Sequence, residues 1–144
     1  MSLTLTDYSV LSRNSFRLNH DIGKPSDILL RKDLSFDLPK NFVKGVKRAR
    51  PILQFLIRSR SDNSRLVVLV NDNPALDQAG HVRNVGKIAL DREFDKHPVR
   101  SHYVTIDGKW FSPNSSNKIV FAINANSGDL IDIDEVVLFY QLEA

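Results

Sequence analysis

The sequence predicts an all-β protein, an antiparallel β-sandwich of jelly-roll type with about eight strands. Two observations predict this fold. Apolar residues recur at every second position from residue 50 onward, and runs of about six such residues alternate with turn-forming stretches. The sequence also contains no internal repeat and no linker, so we expect one domain over residues 1–144, with the strand pattern weakest in residues 1–32.

Composition excludes several classes of protein. The chain has 42% hydrophobic and 26% charged residues, as soluble globular proteins do. It has no apolar run of the roughly 20 residues that would cross a membrane, and its N-terminus lacks the pattern of a secretory signal, so we expect a cytoplasmic location. Without cysteine there are no disulfides or thiolate metal sites. The net charge of +3 is too small to predict nucleic-acid binding.

The first 40 residues give three candidate elements. NSFRLNHDI (residues 14–22) has the pattern of a strand, and LSFDLP (residues 34–39) has that of a second strand ending at Pro39. Between them, SDILLRKDL (residues 26–34) is compatible with a short helix that begins at Ser26.

Four further segments are predicted to be strands. They are RPILQFLIRSR (residues 50–60), RLVVLVND (65–72), SHYVTID (101–107) and NKIVFAIN (117–124). In the first segment Leu53, Phe55 and Ile57 share one face, which we expect to be buried because side chains alternate along a strand. The second is a β-branched run, which is typical of a strand buried on both faces.

The last predicted strand lies within GDLIDIDEVVLFYQ (residues 128–141) and contains three acids. Asp132 and Asp134 point away from the face of the isoleucines, but strict alternation would bury Glu135. A bulge near residues 134–135 would reset the register, and the acids would then form a solvated strand face. The alternative is a structural calcium site built from Asp132, Asp134 and Glu135, because calcium prefers oxygen ligands.

The same strand is apolar on both faces beyond the acids. Val136, Leu138 and Tyr140 share one face, and Val137 and Phe139 lie on the other. A strand of this kind lies in the middle of a packed structure. We therefore expect that either the N-terminal segment or another subunit covers the second face, which makes a homo-oligomer one of two interpretations.

Two turn-rich stretches are candidate ligand-binding loops, at residues 71–81 and 107–117. In the first, Asn71, Asp72 and Asn73 carry groups that bond sugar hydroxyls, although such residues also form turns for local reasons. In the second, Trp110 precedes Phe111, and we expect one of the two to close the end of the core and the other to face outward. An outward Trp110 beside Tyr103 would make a stacking surface for a sugar or a protein.

A basic segment precedes the first central strand. Its candidate patch consists of Lys44, Lys47, Arg48 and Arg50. With Phe42 nearby, the basic segment could bind along the phosphates of a nucleic acid, or it could be a solvated connection between strands. No nucleic-acid-reading motif accompanies it, so a nucleic acid is not an expected partner. The four histidines form no metal-binding pattern and the sequence contains no catalytic motif, so we do not expect an enzyme.

The order of segments over residues 33–141 resembles the galactose-binding-like jelly rolls found among carbohydrate-binding modules. Three segments carry the resemblance: LVVLVND (66–72), NKIVFAIN (117–124) and the closing strand DEVVLFYQ (134–141). The resemblance implies a sandwich without catalytic machinery that binds a ligand through end loops or across one sheet, often with a structural calcium. The chain departs from the family in its single Trp, its three Tyr and its Asp72-Asn73-Pro74 turn.

Two functions follow as hypotheses. The first is a non-catalytic module that recognises a carbohydrate or glycan-like ligand through the loops at residues 71–81 and 107–117. The second is a structural subunit that self-associates or docks a protein through an apolar strand face and a basic edge, without a small-molecule ligand. Neither needs a cofactor beyond the possible calcium ion, and neither involves a membrane.

Overall fold

The computed structural model describes residues 4–19, 29–43, 50–59, 64–71, 87–94, 99–123 and 130–143. These residues form two antiparallel sheets of nine strands and one 3-10 turn at Gly108–Trp110. The strands are β1 (Thr4–Ser12), β2 (Phe16–Asn19), β3 (Arg31–Leu38), β4 (Ile52–Ser59), β5 (Ser64–Val70), β6 (Lys87–Phe94), β7 (Arg100–Thr105), β8 (Ser115–Ala122) and β9 (Leu130–Glu143). The described part of the chain contains no helix long and apolar enough to span a membrane.

Sheet 1 has the strand order β1–β9–β4–β7, and β2 also pairs with β9. β2 lies beside residues 130–133 of β9 and β1 lies beside residues 136–143, so the two short strands occupy one edge in succession. Sheet 2 has the order β3–β8–β5–β6. β9 and β4 are therefore the two central strands of sheet 1.

The connectivity is that of a jelly roll. After β2 the chain passes from one sheet to the other at every connection except that between β5 and β6, which are neighbours in sheet 2. If β1 and β2 are counted as one interrupted strand, eight strands form two four-stranded sheets. The predicted fold class is confirmed.

One hydrophobic cluster fills the space between the sheets. Leu53, Phe55 and Ile57 of β4 point into it, as the alternation predicts, and Phe55 is fully buried. The ring of Phe55 meets that of Phe121 from β8 edge-on, at a centroid distance of 5.1 Å. This contact joins β4 and β8, which are inner strands of the two sheets. Aromatic pairs of this geometry stabilise a core beyond the burial of their area.

The N-terminal region differs from its prediction in two respects. The strand that ends before Pro39 is confirmed as β3, but β3 begins at Arg31 and Leu29 already forms a bridge with Asn19. The helix predicted over residues 26–34 is therefore wrong for the described residues 29–34. Pairing with β8 provides partners for the backbone of β3, and this tertiary contact outweighs a weak local preference.

Two strands were not predicted at all. β1 pairs with β9 and β6 pairs with β5. The sequence of β1 has β-branched Thr4, Thr6 and Val10 beside Tyr8, a composition typical of strands that could have revealed it.

Candidate functional site

The central strand β9 changes the face that it turns toward the interior. Its fully or nearly buried residues are Ile131, Ile133, Val136, Leu138 and Tyr140. The change of parity occurs at Glu135, whose φ is 48°, and the pairing with β4 shifts by one residue between Gln54 and Leu56. The predicted bulge near residues 134–135 is confirmed. Because of it, Val137 and Phe139 point away from the core on the outer face of sheet 1.

These two side chains lie at the centre of a surface that we call the aromatic face. It consists of two rows that run across all four strands from β1 to β7. The first row is Tyr8, Phe139, Ile52 and Thr105, and the second row is Val10, Val137, Gln54 and Tyr103. Not one of these eight residues carries a charge.

The aromatic face is open among the described residues. Tyr103 is 68% exposed, Tyr8 59%, Val10 39% and Ile52 36%. The ring of Tyr8 lies 6.1 Å from that of Phe139, so aromatic contacts extend along the surface. Outward residues of a sandwich are ordinarily polar, and an exposed apolar patch indicates a binding surface.

Of the two covers proposed for β9, the N-terminal segment can be assessed over the residues that the structure describes. β1 pairs edge to edge with β9 and extends the sheet laterally, so the described N-terminal segment does not cover Val137 or Phe139. Self-association stays a prediction.

Charged side chains border the aromatic face at both ends. At one end Asp132 of β9 lies between Arg17 of β2 and Arg58 of β4 in the register of the sheet. The Arg17 Nε donates to Asp132 Oδ1 at 2.7 Å. At the other end Arg50 and Glu143 are exposed. We call these five residues, together with Asp134, the charged rim.

The loop pair predicted as a sugar site is joined by a side-chain network. Asn71 follows β5 with φ of 45°, a left-handed conformation that Asn tolerates better than most residues. Its Nδ2 donates to the carbonyl of Trp110 and to Oδ1 of Asn117, both at 2.8 Å. Its Oδ1 accepts the backbone N–H of Lys118 at 2.7 Å. Both amide hydrogens of Asn71 are thus used in holding the second loop.

Asn117 completes this network from inside the protein. It is 1% exposed, and its Oδ1 accepts the N–H of Ser112 at 2.7 Å. Its Nδ2 donates to the carbonyls of Ser112 at 2.8 Å and Ser115 at 3.0 Å. The Asn117 side chain thus serves as the hydrogen-bond partner of backbone groups in the turn. These bonds make Asn117 a fixed part of the loop.

Trp110 and Tyr103 lie on different surfaces. Phe111 is 1% exposed and closes the core, so the prediction that one of the two neighbours does so is confirmed. Trp110 is half-buried against the same cluster. Tyr103 instead projects from the outer face of sheet 1. The structure therefore does not bring Trp110 and Tyr103 together as one stacking surface.

The three acids of the calcium hypothesis are held in separate local contacts. Asp132 pairs with Arg17, the Oδ1 of Asp134 accepts the N–H of Glu135 at 2.8 Å, and Glu135 is exposed at the bulge. Within the described residues no cluster of three or more His, Asp or Glu side chains is placed to hold a metal ion. The calcium site stays a prediction, and the arrangement is that of a solvated strand face.

Several predicted site residues lie outside the described residues: Asp72, Asn73, Lys44, Lys47 and Arg48. Of the basic patch only Arg50 is described, and it is exposed. Phe42 is 6% exposed and packs at 5.8 Å from Phe111 and 5.9 Å from Tyr140. It belongs to the core, so its ring is not available to stack on a nucleic-acid base.

Sequence alternation did not identify three of the eight residues of the aromatic face, Tyr8, Val10 and Ile52. Tyr8 and Val10 were overlooked because β1 was not predicted, and Ile52 was not considered as an outward residue of β4. The signal was present, since Ile52 precedes Leu53 and alternation assigns the two to opposite faces.

Known proteins are similar to this chain in structure only. Neither a protein-family model nor a curated protein matches its sequence. The structure of infectious bursal disease virus, Gt strain, matches 99% of this chain and 33% of its own, with 10% identity and a TM-score of 0.53. Arabinose-bound MgGH51 α-L-arabinofuranosidase matches 98% of this chain and 23% of its own, with 15% identity and a TM-score of 0.50.

A third structure, TmCBM61 in complex with β-1,4-galactotriose, matches 99% of this chain and 88% of its own, with 13% identity and a lower TM-score of 0.44. The chain spans about a third of the length of the viral chains that it matches. At these identities the likeness shows the fold alone, and the jelly-roll part of the resemblance is confirmed at that level.

Proposed function

We propose that this chain is a non-catalytic binding module that docks a protein partner on the aromatic face of sheet 1. The observation that carries the proposal is the exposure of Tyr8 and Tyr103 in two uncharged rows that cross four paired strands. A monomer that stayed alone in solution would keep this apolar area in contact with water at a cost in free energy.

The composition of the surface favours a protein over a small ligand. The centres of protein interfaces are depleted of charge and enriched in Tyr and Phe, and their rims are polar. The aromatic face has two Tyr and one Phe among its eight uncharged residues, and the charged rim lies at both of its ends. A surface that crosses four strands also has the breadth of a protein contact, whereas small ligands are usually bound in concave pockets.

Site-specific photo-crosslinking tests the proposal. A photoreactive amino acid replaces Tyr103 in one variant and Ser35, an exposed residue on the outer face of sheet 2, in the control. We expect a covalent protein adduct from position 103 in cells of the source organism. Mass spectrometry then identifies the adduct, and the binding is repeated with the purified partner.

Two results would contradict the proposal. The first is an absence of adducts at position 103, and the second is the same set of adducts at both positions. An adduct that forms only at position 103, and that is abolished by Tyr8→Lys at the opposite edge of sheet 1, would support it because both residues lie on the aromatic face.

Carbohydrate recognition is the second candidate. It is favoured by the setting of Tyr103, an exposed ring beside Gln54, whose Nε2 donates to the Ser101 Oγ at 3.1 Å. A ring that stacks on a sugar next to an amide and a hydroxyl is a usual combination in such sites. The loop hypothesis is harder to maintain for Asn71, whose amide hydrogens are already used.

Titration with a panel of polysaccharides tests this candidate, with tyrosine and tryptophan emission recorded separately. Binding at Tyr103 predicts a response that Tyr103→Ala abolishes. Binding at the loops predicts a shift in the emission of Trp110, the single tryptophan. A flat response in both channels would contradict the second candidate and leave the first intact.

A further inference from the structure

We infer that the partner on the aromatic face is a second copy of this chain, related by a two-fold axis that lies in the plane of the interface and perpendicular to the strands. This inference rests on the proposed function, because it concerns the same surface. Three features of the face carry it: the sizes of its side chains, the placement of its charges and its area.

Side-chain size alternates along the strands of the aromatic face. On β1 the bulky Tyr8 is followed by the smaller Val10, and on β9 Phe139 stands two residues from Val137. The proposed axis lies between the two rows, so it places the first row of one copy over the second row of the other. On β1 and β9 a ring then meets a valine, and on β7 Tyr103 meets Thr105.

The arrangement also matches the charges of the rim. Rotation about this axis reverses the strand direction and leaves each strand over its own counterpart. Arg50, which precedes β4, then approaches Asp134 of the second copy. Glu143 at the end of β9 comes opposite Asp132 of the second copy, and Arg17 and Arg58 flank that carboxylate from the neighbouring strands. The symmetry forms the Arg50–Asp134 contact twice, and opposite charges placed in this way fix the register of an interface.

The area lies at the lower end of the range for a stable dimer. Strands β1, β9, β4 and β7 have 9, 14, 8 and 6 residues, and with about 3.3 Å per residue and about 4.8 Å between strands they form a face of about 600 Å². Each partner in an interface of standard size buries about 600–1,000 Å². A two-fold dimer is the commonest assembly of identical chains, and its interface must be complementary to itself, as this face is. The product is a four-layered stack in which both copies of sheet 1 become interior.

Light scattering after size-exclusion chromatography tests the dimer over a series of concentrations from about 10 µM to about 1 mM. The monomer mass is 16.3 kDa, and we expect the measured mass to approach twice this value. Tyr103→Lys should weaken the dimer at least tenfold, because the two-fold axis places β7 over its counterpart and brings two ammonium groups close together within the apolar surface. Ser35→Lys, which adds the same charge to an exposed strand position of sheet 2, should leave the dimer unchanged.

A charge exchange tests the proposed axis itself. Arg50→Glu alone and Asp134→Lys alone should each weaken the dimer several-fold, because each places like charges opposite one another. The double variant should restore it, because the exchanged charges meet again across the axis. A stable dimer in which the double variant is weaker than either single variant would overturn the two-fold arrangement.

The outcomes separate this inference from the proposed function. A monomer at every concentration, or a dimer that Tyr103→Lys does not weaken, would overturn the inference. If the photo-crosslink at position 103 then identifies a different protein, the proposed function stands without the dimer. If it identifies nothing, both fail. Circular dichroism spectra of all variants should match that of the unsubstituted chain, which establishes that weakened association is not loss of folding.

Discussion

The two outer faces of the sandwich differ in what they expose. Among the strand residues whose side chains are described, every exposed large apolar residue belongs to sheet 1, and most of them form the aromatic face. On sheet 2 the outward residues Arg31, Asp33 and Ser35 of β3 are exposed and polar, and the outward Val120 of β8 is fully buried. Among the described side chains, the β3 edge of sheet 2 therefore presents a polar, solvated surface, and sheet 1 presents a surface with the composition of an interface.

If the outer face of sheet 1 is a binding surface, its inner face must provide the packing of the core. Phe55→Ala tests this packing and has the largest expected effect. Phe55 is fully buried and contacts Phe121 across the sandwich and His102 at 5.5 Å. We expect its removal to lower the free energy of unfolding by about 3–5 kcal/mol in urea titration. Tyr103→Ala, on the outward face of the neighbouring strand, should cost less than about 0.5 kcal/mol when both variants are measured at a concentration where the chain is monomeric. Equal losses would mean that the two faces are not distinguished by packing.

Asn117→Ala is expected to have the second largest effect, because it tests whether the candidate loop is a fixed structure. The substitution removes the buried amide that bonds the backbone N–H and carbonyl of Ser112 and the carbonyl of Ser115. A loss of about 1–3 kcal/mol is expected from unfolding curves. Emission of the nearby Trp110 should also shift to longer wavelength as the turn loosens. Ser116→Ala, at the exposed neighbouring position, is the matched control and should change neither measurement.

The third prediction concerns the bulge that turns Val137 and Phe139 outward. Glu135 adopts φ of 48°, which costs an ordinary residue roughly 1–2 kcal/mol. Glu135→Gly should relieve this strain, and after the greater chain entropy of glycine is deducted we expect a gain of up to about 1 kcal/mol. Asn114, with φ of 54°, is the control, because Asn tolerates this region and Asn114→Gly should change stability little. A clear loss of stability in Glu135→Gly would show that the side chain supports the bulge.

Much of the fold was predictable because alternation is a local property. The inward faces of β4, β7 and β8, and even the bulge in β9, follow from the order of apolar and polar residues together with the cost of burying an unpaired acid. The composition of β1 is typical of a strand, but the partners of β1 and of the beginning of β3 were not predictable in this way. They pair with β9 and β8, and no local pattern specifies a partner so far along the chain.

The candidate site was predictable only in its parts. The sequence identified Val137 and Phe139 as a second apolar face of one strand, but the aromatic face also needs β1, β4 and β7 to lie beside β9 in a specific register. The polar residues were harder to interpret. Asn71 has the chemistry of a sugar ligand, and only its distances to Trp110 and Asn117 show that it holds the loop.

The smallest expected effect concerns the solvated face of sheet 2. The hydrogen bond from Arg31 Nε, at 2.8 Å, lowers the pKa of Asp33 below its usual value of 3.8, with partial desolvation opposing and Lys118 and Lys32 assisting. A lowered pKa in the folded state stabilises the protein above the unfolded value, and the contribution is lost as the pH falls through the folded pKa. Because the Asp33 side chain is 43% exposed, we expect less than about 0.5 kcal/mol at neutral pH.

Asp33→Asn should therefore lower the free energy of unfolding slightly at neutral pH. The difference from the unsubstituted chain should shrink below about pH 4 and also at high salt, where exposed charges are screened. A double-mutant cycle with Arg31→Gln isolates the pair itself. A coupling well above 1 kcal/mol would contradict the comparison between the faces, because it would mean that the charges of sheet 2 act in a desolvated environment. That surface would then also be a candidate interface, and the aromatic face of sheet 1 would lose its distinction.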